Sequence, residues 1–189
     1  MIRRIPILPT LLVLIAVGYM THLGLWQIDR LHQKEAMLAR YEAAQASQAE
    51  VPFVIVPELA EGALYHRSRL DCTGASGMTT QAGRNDKGEA GMAHFAQCQT
   101  AEGGTAKVVL GWSRNPASPV WTGGVVTGWI APGPRLVADP PLAGLQPNAK
   151  PDPRDIPNNH FAYAVQWFLF AGVALIIYGI ALRKRLRAG

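Results

Sequence analysis

Two histidines, three aromatic rings and an arginine are spaced along this chain so that they could grip a flat, metal-bearing ligand. His22 lies one helical turn before Trp26 in an apolar run from Ile7 to Trp26, and His160 opens a second run, Phe161 to Leu182. On a helix beginning at His160, the residues Tyr163, Ala164, Trp167 and Ala171 fall at helical spacing, so an imidazole, two aromatic rings and two small side chains share a face. A macrocycle whose iron accepts a histidine nitrogen suits that face, and Arg30, four residues after Trp26, is placed to neutralise a propionate above it. The same residues also have plainer uses: interfacial histidines snorkel, aromatics anchor helix ends, and small residues let helices pack. Spacing alone leaves both readings open, because the chain has no Cys-x-x-Cys-His attachment motif.

A second constellation lies between the two runs. Cys72 and Cys98 favour a disulfide if that region faces an oxidising compartment, and closing the loop would add roughly 3 kcal/mol on a chain-entropy estimate. The competing use is a metal site for copper delivery, built from Cys72, Cys98 and His94; the four-residue spacing of His94 and Cys98 converges only on a helix, whereas Gly91–Ala96 reads at least as well as a strand. Ser113, in Gly111-Trp112-Ser113-Arg114-Asn115, lacks the second glycine of a nucleophile elbow, and neither a phosphate-binding glycine loop nor a zinc-protease motif is found. The chain therefore reads as a non-enzyme, with a hydrolase as the weaker alternative.

The elements that must position these residues follow from charge and hydropathy. A hydrophobic fraction of 49% is high for a soluble chain of 189 residues. Each apolar run lacks charged residues and is long enough to cross about 30 Å of hydrocarbon. The formal net charge is +5, yet 6 of the 18 Lys and Arg residues sit at the two ends (Arg3, Arg4, Arg183, Lys184, Arg185, Arg187), leaving 12 with all 13 acidic residues in between. The basicity is thus topological, and nucleic acid is not an expected partner. Basic flanks stay cytoplasmic, which predicts both termini inside and residues 27–160 outside. No small-x-small cleavage site follows the first run, so it reads as a retained anchor, and the absence of a transit peptide points to a bacterial inner membrane. A tail of Arg183–Gly189 is too short for a signalling domain.

The expected fold is a membrane protein with two transmembrane α-helices, N- and C-terminal, flanking a small antiparallel β domain, either a sheet or a partial barrel. Its predicted divisions are a basic tail 1–6, a transmembrane helix 7–26, a helical extension 27–46, a β domain 51–130, a Pro-rich connector 131–159, a second transmembrane helix 160–182 and a basic tail 183–189. The extension is marked by Ile28, Leu31, Leu38 and Tyr41 near one face. Six strands are expected, at Phe53–Val56, Tyr65–Cys72, Met78–Ala82, Met92–Gln97, Ala106–Trp112 and Val125–Ile130. Eight prolines between Ala131 and Pro157 argue against strand and helix there, and Asn158 and Asn159 offer N-cap oxygens to the second helix.

Two stretches carry a family resemblance. Leu23-Gly24-Leu25-Trp26-Gln27-Ile28-Asp29-Arg30-Leu31 and Pro157-Asn158-Asn159-His160-Phe161-Ala162-Tyr163-Ala164-Val165-Gln166-Trp167 resemble the signature ends of the surfeit locus protein 1 (Shy) family, and the architecture is similar too. Gly91–His94 stands where that family has a glycine-aromatic turn, and Val108–Trp112 resembles its Arg-Gly-Trp strand with Leu110 in place of the arginine. The resemblance implies an assembly factor for haem-copper terminal oxidases that receives haem a and helps place it in the catalytic subunit. His160 then matches the candidate iron ligand. Helix spacing adds Trp26 and Trp167 as flanking rings, Tyr163 beside them, Arg30 for a propionate and His22 as a candidate on the other face. Expected partners are the oxidase's catalytic subunit, the lipid membrane and the haem a synthesis machinery. The alternative function is a membrane scaffold that stabilises an oxidase assembly intermediate without handling haem.

Overall fold

The computed structural model describes residues 5–47 and 49–188, and the chain divides into two compact units. One unit comprises Met1–Met37 and Pro157–Gly189, the other Leu38–Ile156. Helix α1 (Ile7–Ala46) runs unbroken through 40 residues, and the C-terminal helix, α3 below, spans His160–Ala188. Pro9 falls in the first turn of α1, where a missing N–H costs nothing. Both helices are long and apolar enough to cross a membrane, and residues such as Leu8, Leu12, Ile15, Leu169, Ile176 and Ile177 leave most of their surface bare. Water would not tolerate such a surface, and lipid does. At 1.5 Å per residue α1 is about 60 Å long, roughly twice the hydrocarbon thickness, so its polar second half extends beyond it.

The second unit is a closed five-stranded barrel. Its strands are β1 (Arg67–Arg84), β2 (Ala90–Thr100), β3 (Thr105–Ser113), β4 (Gly124–Ala131) and β5 (Arg135–Ala138), in spatial order β1-β2-β3-β5-β4. Strand β1 pairs antiparallel with both β2 and β4, whereas β3 and β5 run parallel. That connectivity is the Greek-key barrel of the OB fold. Val108, Leu110, Val126, Ile130 and Leu136 fill the interior with no exposed surface. Burying a side chain of this size adds about 1.5–3 kcal/mol, which makes the interior the main source of the unit's stability. Cys72 on β1 and Cys98 on β2 are joined by a disulfide with Cα atoms 5.2 Å apart, inside the same core. On the outer face, Gly91 gives way to the buried indole of Trp112: an added Cβ would stand 2.3 Å from the ring.

Three expectations about the strands need correction. Tyr65–Cys72 and Met78–Ala82 belong not to two strands but largely to one, because the intervening glycines mark irregularities between Cys72 and Gly74 and between Ser76 and Thr79 that bend β1 without ending it. Phe53–Val56 belongs to no strand; Pro52 lacks a donor and Pro57 starts a four-residue helix, α2 (Pro57–Ala60), so the segment contributes only side chains, Phe53 and Ile55, to the core. Within the Pro-rich stretch, Arg135–Ala138 is a strand, which makes the sheet mixed rather than antiparallel and the barrel closed. A strand of four residues fits between Pro134 and Pro140 without needing either proline's missing donor. Gly91–His94 likewise lies within β2 and is not a turn.

The last turns of α1 belong to the barrel unit. Tyr41 and Ala44 are buried there, with the Tyr41 ring 4.8 Å from that of Tyr65, and the Gln45 amide donates to the Pro151 carbonyl.

Candidate functional site

Within the first unit, α1 and α3 meet at contacts that run in opposite order along the two helices. The Thr10 and Tyr178 hydroxyls are hydrogen-bonded, Gly24 lies against the Phe168 ring, and Gln27 meets His160. The helices are therefore antiparallel. Gly24 is what allows the approach, since a Cβ there would come within 2.7 Å of Phe168. One turn further along α1, the Gln27 Oε1 lies 2.7 Å from the Nδ1 of His160. His160, the first residue of α3, is half-buried. Asn159 serves the helix start through its backbone carbonyl, which accepts from the Tyr163 N–H at 3.2 Å, while the Asn158 Oδ1 is buried without a partner.

The other residues singled out from the sequence lie nearby on the same two helices. Trp26 on α1 and Tyr163 on α3 are about half exposed, at 48% and 52%. Trp167 packs edge-on against Phe170, with ring centroids 6.1 Å apart. His22 and Arg30 are exposed, and Arg30 donates to the Gln33 Oε1 at 2.7 Å, which leaves most of its guanidinium donors free. Among the described residues, no side-chain hydrogen bond joins any two of these five, or any of them to His160. Ala164 and Ala171 are buried, so these two small side chains are taken up by packing and offer no surface to a ligand. Gln27 was not anticipated. The only signal for it is a neutral polar side chain at the end of an apolar run, inside the stretch that carries the resemblance.

In this arrangement a half-buried imidazole, held through one nitrogen, opens α3, with Tyr163 and Trp167 following on the same helix and Trp26 and Arg30 flanking its partner Gln27 in the sequence of α1. The chemistry of that donor set suits an amphiphilic iron macrocycle: an imidazole can ligate, aromatic rings can cover an apolar plane, and a guanidinium can answer a carboxylate.

The second constellation does not form a metal site. The thiols of Cys72 and Cys98 are consumed in their disulfide, and among the described residues no cluster of three metal-ligating side chains exists. His94 sits on a strand, so the helical convergence that its spacing to Cys98 needs is missing. Its imidazole is fully buried, with Nε2 2.8 Å from the Ser113 Oγ and Nδ1 3.5 Å from the Thr80 Oγ1, and burial pushes its pKa down. Because the Ser113 hydroxyl donates to the Asn115 carbonyl at 2.7 Å, the His94 Nε2–H must donate to Ser113. That direction is the reverse of what an activated serine requires, and the pair reads as a satisfied polar plug.

A family model described as the SURF1 family matches residues 14–172, which takes in most of α1, the whole barrel and the N-terminal part of α3. No curated protein matches the chain.

Proposed function

We propose, from the premise that this chain belongs to the SURF1 family and is thus an oxidase assembly factor, that it binds haem a at His160 and presents it to the catalytic subunit of a haem-copper oxidase. The protein does this without catalysing a reaction of its own. The observation that carries the reading is the His160 imidazole at the start of α3, held by Gln27 through Nδ1. Haem a supplies a Lewis-acidic iron, a long apolar tail that favours lipid and propionates that favour the interface.

Each side chain has a part in this. His160 would offer the iron a nitrogen, and Trp26, Trp167 and Tyr163 would supply aromatic cover for the macrocycle. Arg30 would answer a propionate with its remaining donors, and His22 would be the candidate second ligand from α1. A carrier must release its cargo, which one strong ligand allows better than two. The basic flanks support a topology with both termini in the cytoplasm and the barrel on the periplasmic side of a bacterial inner membrane. That compartment permits the Cys72–Cys98 disulfide.

The test is the visible absorption spectrum of the detergent-purified protein from cells that make haem a, beside the His160→Ala variant at equal yield. A haem a spectrum lost or shifted in the variant is the expected result. A colourless wild type, or a spectrum indifferent to the substitution, would overturn the assignment and leave a scaffold for an assembly intermediate.

A further inference from the structure

We propose that Gln27 is a positioning residue that fixes the tautomer and aim of His160. This rests on the reading of His160 as the iron ligand. A carboxamide oxygen can only accept, so at 2.7 Å from the Gln27 Oε1 the Nδ1 of His160 must carry the proton. A neutral imidazole has one N–H, which leaves the lone pair on Nε2. The bond therefore chooses which nitrogen ligates and stops the ring from turning. It is made at the end of an apolar run, where water competes little and a hydrogen bond gains strength.

The choice of an amide has a consequence of its own. Ligating histidines usually donate their second N–H to an acceptor, and a carboxylate acceptor makes the ring more basic than a neutral amide does. Gln27 thus orients the ring while keeping the ligand moderate, as release of a cargo requires. The contact depends on Gly24, one turn earlier, which lets α1 close on Phe168 of α3.

Two measurements on the full chain in detergent separate this role from the function it serves. In the haem-free protein labelled with 15N-histidine, His160, identified by its absence from His160→Ala, should show the Nδ1–H tautomer. Gln27→Leu should shift it toward Nε2–H, and that readout involves no metal. In the haem a-loaded protein, Gln27→Leu should weaken retention by about 10–100-fold. Gln27→Glu should restore retention and lower the midpoint potential relative to wild type. If His160→Ala loses haem a while Gln27→Leu keeps the wild-type tautomer, retention and potential, the positioning role is overturned and the ligand reading survives. If the tautomer responds to Gln27 but the wild type takes up no haem a, the ligand reading fails and the role falls with it.

Discussion

His94 is the residue whose burial gives the barrel a pH dependence. Its folded-state pKa lies below the ordinary 6.5, because taking a proton would put a charge into a desolvated site. Between the folded and unfolded values the unfolded chain binds more protons, so stability present above about pH 6.5 is lost as the pH falls below it. The thermal midpoint followed by the sheet signal in circular dichroism should drop between pH 7 and pH 5, and His94→Gln should flatten that dependence. An equal drop in the variant would move the cause elsewhere. Leu110 shows the same economy of charge. It stands where the family resemblance leads one to expect arginine, and its side chain is wholly enclosed by the apolar barrel interior. No partner for a cation is needed there.

Among the elements, β1 and β2 are tied covalently as well as by their ladder. The disulfide closes a sequence separation of 26 residues, and replacing Cys72 and Cys98 together by alanine should cost about 3 kcal/mol, read as a lower denaturation midpoint of the barrel. Thiol labelling of the denatured wild type without reductant should find nothing to react. The helices and most strand positions were legible because an uncharged apolar run and a period-two alternation are local patterns. Strand β5 was not, since prolines on both sides of Leu136 and Val137 signal irregular chain, and only the parallel neighbour β3 makes a strand of them. The bends in β1 hid its continuity for a related reason: Gly74 and Gly77 look like chain breaks in sequence and act as bends in a ladder that continues. At the candidate site, the place of His160 at the start of α3 was legible from the apolar run that follows it. Gln27 was not, because its meeting with a residue 133 positions away is decided by how Gly24 lets the helices pack.

For the whole molecule, the proposed orientation, argued from the basic residues at the two ends, can be tested by labelling. Single cysteines introduced at Ala188 and at Glu102, in a Cys72→Ala/Cys98→Ala background, should divide. The first should be shielded from a membrane-impermeant maleimide in intact cells and the second should react. The reverse pattern would invert the proposed topology. The parallel pairing of β3 with β5 also bears on biogenesis. A nascent chain that has emerged only as far as β4 cannot yet close the barrel, because the strand that joins β3 to β4 comes last. Such long-range closure is slow compared with local pairing. The unfinished domain therefore stays open, a substrate for proteases and holdase chaperones, until residues 135–138 follow it out, and by then barely twenty residues separate the ribosome's product from its second membrane helix.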